Sequence, residues 1–314
     1  MTEKKVIAVV GATGGQGGGL VRAILEDVDS PFTVRALTRD TSSDKARQLA
    51  DAGAQVVRAD VTDEASLVEA LTGAHSAYLV TDFWQHMSAE REKRDAAGLA
   101  RAARAAGLEH VIWSTLEDTR DYIPVDEHRM PTLQGGYNVP HFDAKAEANR
   151  YFTEAGVPVT FLQTTFYWEN LLGPLAPRRG EDGRLVLALP MADSELAGIA
   201  AQDIGRTAYG IFTRGSEFVG RTVSIAGEHL TGADMAERLT KVLGEEVTYV
   251  PLPFEALRGS GGPGAVEMAN MFQFYAEVPQ FVAARDLHLV RSLNPRLQTF
   301  EEWAAAHKDG LAGA

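Results

Sequence analysis

The chain has 314 residues, of which 45% are apolar and 23% charged, the composition of a globular protein with one large α/β domain or a large domain and a smaller one. Its formal net charge of −13 argues against a general nucleic-acid footprint, so no direct nucleic-acid contact is expected. It contains no cysteine, which excludes disulfides, thiolate metal sites and cysteine catalysis.

Strand-like and helix-like segments alternate from the start. Residues 6–10 are predicted as a buried strand, too short for the apolar core of a signal peptide. No stretch approaches membrane-spanning length, so a cytoplasmic protein with no membrane contact is expected. Residues 18–26 are predicted as a helix, with Leu20, Val21, Ile24 and Leu25 on one side. A strand at 32–38, a helix at 44–52, a strand at 55–58 and a helix at 64–72 follow, with Gly53 and Gly73 closing the two helices. Next come a strand at 76–81 and a long helix at 89–106, capped by Ser88 and followed by Gly107. A strand at 110–114, a helix at 142–155 and a strand at 159–163 complete this half. Such alternation predicts an α/β fold: a Rossmann doubly wound parallel sheet with its ligand crevice at the carboxyl ends of the strands.

Beyond about residue 166 the order is less regular. Strands are predicted at 185–189, 222–225 and 247–250, and helices at 203–212 and 231–243 with Asp and Thr caps. Residues 259–264 form a loop, and the helix at 265–275 carries Met268, Met271, Phe272 and Phe274, which are expected in the core. The expected organisation is a Rossmann domain over 1–165 and a smaller α+β substrate or partner domain over 166–314, some of whose strands rejoin the main sheet.

The strongest motif is Gly11-Ala12-Thr13-Gly14-Gly15-Gln16-Gly17, which follows a strand and opens a helix. That is the context of a dinucleotide fingerprint. Gly11 permits a tight turn, Gly14 lets the backbone approach a pyrophosphate, and Gly17 allows close helix–strand packing. The helix N-terminus adds unpaired N–H groups and a positive dipole end. A flexible glycine loop is the alternative, and the intact βαβ frame favours the nucleotide.

Cofactor choice is set at the end of the second strand, where NAD proteins place a carboxylate. Here Thr38 stands in that place and Arg39 follows it. A guanidinium pairs two N–H donors with a 2′-phosphate, so NADP(H) is the expected dinucleotide. The rivals are Asp40 as the ribose acid of an NAD protein, and Arg39 as an exposed strand-end charge. Topology puts Asp60 and Val61 near the adenine, and Thr81, Asp82 and Phe83 near the ribose and nicotinamide. Taken singly, Asp60 also fits a turn and Thr81 a cap.

The glycine segment, Val34-Arg-Ala-Leu-Thr-Arg39, Val80-Thr-Asp-Phe-Trp84 and His141-Phe-Asp-Ala-Lys145 resemble the NmrA-like branch of the atypical short-chain dehydrogenases. Gly262-Pro-Gly-Ala-Val-Glu-Met-Ala-Asn-Met-Phe-Gln-Phe-Tyr275 and Leu293-Asn-Pro-Arg296 are similar to its HSCARG type, the NmrA-like family domain-containing proteins. The resemblance covers nearly the whole chain. It implies an NADP(H)-binding redox sensor that answers the nucleotide by changing shape or association, as a monomer or homodimer, with a regulatory protein partner. It also implies further contacts: Arg94 near the cofactor, Lys145 on the nicotinamide side, and Tyr167, Trp168, Glu169 and Asn170 bordering the nicotinamide. Residues 118–140 are longer than the family pattern and carry Pro124, Pro131, Gly135 and Gly136, so they are expected to be a loop, either a lid or a mobile insertion.

Active short-chain dehydrogenases use a Tyr-x-x-x-Lys pair and a serine at the end of the fifth strand. Ser114 and Lys145 fit the serine and lysine places, whereas His141 stands in the tyrosine's, with Tyr137 four residues upstream. Histidine is itself a general acid near neutral pH. Two functions therefore stay open. One is a sensor, favoured by the missing tyrosine. The other is an NADPH-dependent oxidoreductase acting on a small-molecule quinone, azo or carbonyl acceptor, with Ser114 orienting it, His141 protonating it and Lys145 holding the ribose. The eight histidines show no metal-ligand spacing, so no metal is expected.

Overall fold

The computed structural model describes residues 4–180 and 182–312, so the outer limits 1 and 314 of the expected domains lie outside the described residues. Its centre is a seven-stranded parallel sheet. Six strands come in succession: β1 (Lys5–Val9), β2 (Phe32–Thr38), β3 (Gln55–Arg58), β4 (Ser76–Leu79), β5 (His110–Thr115) and β6 (Val159–Gln163). The helices between them are α1 (Gly15–Glu26), α2 (Asp44–Asp51), α3 (Glu64–Leu71), α4 (Ala89–Ala105) and α5 (Pro140–Glu154). The spatial order is 3-2-1-4-5-6, which reverses between β1 and β4 and opens a crevice there. Val9 lies level with Ala36 on β2 and Tyr78 on β4, so the loops that follow these strands leave from one edge.

The central strands are legible because helices cover both their faces. Every residue of β4 and β5 is buried, whereas the edge strand β3 is half-exposed. Two helix starts in this half differ from the pattern. α1 begins at Gly15, three residues before its predicted start, although its first turn is almost all glycine. Packing overrides that poor propensity. A Cβ on Gly17 would lie 2.5 Å from the Gly11 carbonyl oxygen. A Cβ on Gly205, in α6 (Ala201–Thr213), would lie 2.1 Å from the Leu20 amide nitrogen. α1 is thus gripped between the β1 loop and α6. α5 begins early because Pro140 is preorganised for its first turn.

The 118–140 segment is tied down. The Asp143 carboxylate accepts from Thr119 N (2.8 Å), Thr119 Oγ1 (2.6 Å), Asn138 N (2.9 Å) and Val139 N (3.1 Å). Asn270 Nδ2 donates to Pro131 O at 2.8 Å and Asn138 O at 2.7 Å, and Gln273 Nε2 donates to Arg129 O at 2.9 Å.

The second half contributes β7 (Phe166–Tyr167), β8 (Arg178–Arg179), β9 (Leu185–Leu189), β10 (Leu196–Ile199), β11 (Thr222–Ser224), β12 (Glu228–Leu230) and β13 (Val247–Pro251). β11 extends the central sheet beside β6, and the others form two three-stranded sheets. α6 starts at Ala201 without a side-chain cap. Asp203, the expected cap, instead accepts from Asn294 Nδ2 (3.1 Å) and Gln298 N (3.0 Å), which binds the C-terminal segment to α6. α7 (Gly232–Leu243) has the Thr cap as a full capping box with Asp234. α8 (Phe254–Arg258) and α9 (Ala265–Glu277) follow. Phe272 and Phe274 of α9 are fully buried, in a cluster with Phe142 of α5, Phe166 and Trp168, so side chains from both halves share this core.

Candidate functional site

A cleft of about 1060 Å³ runs along the carboxyl edge of the sheet, from Arg39 past the glycine loop to Met271 and Tyr275. At its middle, Gly11 turns the chain at φ +68°, a conformation that favours glycine. Gly14 is the extended N-cap of α1, and no side chain caps that helix. Its first-turn N–H groups are left for an anion. This glycine start suits a pyrophosphate.

One end of the cleft is lined by Thr38, Arg39, Asp40, Ser43 and Lys45. Arg39 Nη1 donates to Gln85 Oε1 at 2.9 Å, which holds the guanidinium at the rim. Asp40 Oδ1 accepts from Ser42 N at 2.8 Å and Ser42 Oγ at 2.5 Å. These bonds, the Ser42 hydroxyl first, hold the Asp40 carboxyl below its ordinary value and occupy it within its own turn. Asp60 lines the cleft but is engaged likewise, accepting from Thr62 N at 2.9 Å and Thr62 Oγ1 at 2.8 Å. Two cations and no free strand-end acid suit a 2′-phosphate.

The other end is built around Gln16. Its Oε1 accepts from Ser114 Oγ at 2.8 Å and from the Tyr78 hydroxyl, and its Nε2 donates to the Tyr167 hydroxyl. Burial raises both phenols, Tyr167 up to about 12, so both stay neutral hydroxyls, Tyr78 donating to Gln16 and Tyr167 accepting from it. Ser114, 2% exposed, therefore positions Gln16. Lys145 lines the cleft but its three donors have protein partners: Glu92 Oε1 (2.6 Å), Thr81 Oγ1 (2.6 Å) and Thr81 O (3.2 Å). In this arrangement none is left for a ribose. Glu169 accepts from Ala201 N at 2.9 Å and Trp303 Nε1 at 3.2 Å, and burial raises its carboxyl.

His141 lies at the first turn of α5 among aromatic rings, with centroids 5.0 Å from Trp84, 5.8 Å from Phe83 and 4.9 Å from Phe142. Its Nδ1 is 2.8 Å from Glu267 Oε1, and that same oxygen accepts the His141 backbone N–H at 2.7 Å. Met268, Met271 and Tyr275 of α9 complete this wall.

The structure brings most of the expected site residues to the cleft: Gly11, Thr13, Gly14, Gly15, Gln16 and Gly17 from the loop, Thr38, Arg39, Asp60 and Val61 at the adenine side, and Thr81, Asp82, Phe83, Ser114, His141, Lys145, Tyr167, Glu169 and Asn170 at the other. Three expected cofactor contacts lie elsewhere. Ala12 is 1% exposed and packs into the core beneath the loop. Trp168 is fully buried, its ring 5.4 Å from Phe300 and 6.0 Å from Trp303. Arg94 is 71% exposed and does not line the cleft; Arg91, on another face of α4, does. The 118–140 loop contributes no residue to the lining either. Glu92 and Glu267 carry no local signal, since each acts through a partner more than 50 residues away in sequence (Lys145 and His141). Met268 and Met271 reach the cleft because α9 shows one side to the core and another to the site. Among the described residues no helix is long and apolar enough to cross a membrane, and no cluster of three metal-ligating side chains occurs.

Comparison with known proteins gives the family and the fold. The model of the NmrA-like family matches residues 3–304. The NAD(P)H azoreductase of Xenophilus azovorans is 30% identical over 316 residues, spanning 98% of this chain and 100% of its own. Among solved structures, NmrA, a negative transcriptional regulator in complex with NADP, superposes with a TM-score of 0.79 at 23% identity, covering 100% of this chain and 98% of its own. The triphenylmethane reductase of Citrobacter sp. does so with a TM-score of 0.74 at 19% identity, covering 98% and 99%. At these identities the two structures share the fold.

Proposed function

The chain belongs to the NmrA-like family, and from that premise we propose that it is an NADPH-dependent reductase of flat aromatic acceptors, quinones or azo compounds among them. The observation that carries this is the position of His141: it opens onto the same cleft as the phosphate loop, inside a wall of aromatic and methionine side chains. The NAD(P)H azoreductase that is 30% identical supports the reaction class.

The glycine loop and the α1 N-terminus hold the pyrophosphate, and Arg39 and Lys45 hold the 2′-phosphate of NADP(H). Bound NADPH supplies a hydride. Phe83, Trp84, Phe142, Met268, Met271 and Tyr275 wall the acceptor's place and keep water from it. His141 gives the proton that completes the reduction. Gln16, fixed by Ser114, Tyr78 and Tyr167, borders the reacting end, and Lys145 fixes the β4 loop through Thr81.

The sensor reading expects the nucleotide either to order the 118–140 loop or to shift the oligomeric state, and the structure bears on the first of these. That loop is bonded to α5 and α9 and lines no part of the cleft, which weighs for the reductase. The test follows NADPH absorbance with quinones, azo dyes and aldehydes, with Gly14→Val as the control. Oxidation with the aromatic acceptors, lost in the variant, is expected. Tight NADPH binding with no oxidation of any acceptor would overturn the reductase and leave the sensor.

A further inference from the structure

Resting on that function, we propose that Glu267 is a positioning residue that decides which nitrogen of His141 delivers the proton. The carboxylate is 5% exposed and comes from α9, 126 residues away in sequence. Its Oε1 accepts the His141 backbone N–H at 2.7 Å and faces His141 Nδ1 at 2.8 Å. A carboxylate only accepts hydrogen bonds, so Nδ1 carries a proton. Nε2 has no partner among the described residues, and His141 lines the cleft.

The step balances around that arrangement. The acceptor's double bond takes the hydride at one atom and a proton at the other. The Nε2–H bond of the His141 imidazolium breaks, and the bond to the acceptor forms. The ring is left neutral with its proton on Nδ1, the tautomer that Glu267 stabilises, and water then returns a proton to Nε2. Without the carboxylate, either nitrogen is free to release its proton, and Nδ1 points away from the acceptor. The donor is on α5 and its holder on α9, so the proton source is complete only when the two helices are packed together.

Nitrogen NMR of the imidazole and steady-state kinetics test this on the full chain. The neutral ring of wild-type His141 is expected to be protonated on Nδ1. Glu267→Ala is expected to shift the ring toward the Nε2–H tautomer and to lower kcat by about 100-fold, the lower end of what a positioned general acid contributes. KM and NADPH affinity should change little. Glu267→Gln keeps an acceptor oxygen at the same place, so it should keep the Nδ1 tautomer and restore most of the turnover. It also keeps the test valid where the alanine variant fails to fold. In a His141→Ala background neither substitution should reduce kcat further. A wild-type ring protonated on Nε2, or an equal loss of kcat from Glu267→Ala in both backgrounds, would overturn the proposal. If no acceptor is reduced at all, the reductase fails, and the ring spectrum alone still decides whether Glu267 sets the tautomer.

Discussion

Lys145 Nζ lies 2.6 Å from Glu92 Oε1, with the Glu92 side chain wholly buried and that of Lys145 10% exposed. Burial opposes the Glu92 charge, but Lys145 and Thr81 outweigh it and hold the carboxyl below its ordinary value. Removing one partner strands the other. Lys145→Met is therefore expected to destabilise the fold by about 3–5 kcal/mol, and Glu92→Leu combined with it to recover most of that loss, read by denaturant unfolding. With no donor of Lys145 left over, the double variant should bind NADPH within about threefold of wild type, or under 1 kcal/mol. A large loss of NADPH affinity would return Lys145 to the ribose. The pair also predicts a pH effect. A carboxyl with a depressed folded pKa adds stability above its unfolded value and loses it as the pH falls through the folded one. The advantage of wild type over Glu92→Gln should therefore begin to shrink as the pH falls below about 4, near the unfolded value, and be lost only below the lower folded value.

On the proposed function, Arg39 decides between NADP(H) and NAD(H). Asp40 is occupied by Ser42, and Thr38 stands where an NAD protein has its acid. A charge-assisted bond to a phosphate is worth about 1.5–3 kcal/mol, so Arg39→Ser is expected to weaken NADPH about 10- to 100-fold. NADH, which lacks the 2′-phosphate, should weaken far less. Calorimetric titration of both nucleotides reads the difference. Equal losses for the two would place Arg39 outside the phosphate site.

Local patterns carried the dinucleotide half of this molecule, and long-range pairings did not show in them. The buried runs of β4 and β5 and the glycine turn at Gly11 each state their role within a few residues. The second half is less legible because β7, β8 and β12 have only two or three residues each, too few for periodicity. Asp203 looks like a helix cap locally, but its partners at Asn294 and Gln298 lie some 90 residues on. Arg94 and Trp168 show the converse limit. Each sits in a matching motif, but one residue of helical rotation or one packed ring removes it from the cleft.

Asp143 ties the 118–140 loop to α5, at a cost that depends on pH. Burial raises its carboxyl from the ordinary 3.8 to about 6, despite the bonds from Thr119 and Val139 that favour the charge. An acid raised on folding loses stability as pH rises between its unfolded and folded values, because the unfolded chain gives up the proton first. The loss is on the order of 3 kcal/mol. Asp143→Asn does not titrate, and its amide nitrogen faces N–H donors, so it should destabilise the loop throughout. The gap between wild type and variant should be widest near pH 4 and narrow toward pH 7. A gap that widens over that range contradicts the assignment. Hydrogen exchange should show faster opening of 118–140 in the variant.

Ser114 and His141 separate positioning from proton transfer. In the short-chain dehydrogenase pattern the serine orients the acceptor directly. Here the hydroxyl donates to Gln16 at 2.8 Å, and Tyr78 donates to the same oxygen, so Gln16 keeps a partner when Ser114 is removed. One neutral hydrogen bond contributes about 1 kcal/mol, and Ser114→Ala is expected to lower kcat by less than about tenfold. His141→Ala removes the proposed proton donor and should lower it by at least about 100-fold. Gln16→Ala should be worse than Ser114→Ala, because it leaves the buried Tyr78 hydroxyl without its acceptor and costs about 1–3 kcal/mol in stability as well. Turnover of all three variants on one quinone, with unfolding midpoints alongside, gives the order. A loss at Ser114 as large as that at His141 would mean that the serine turns from Gln16 to the acceptor when the cleft is filled, and Gln16 would then be its resting partner only.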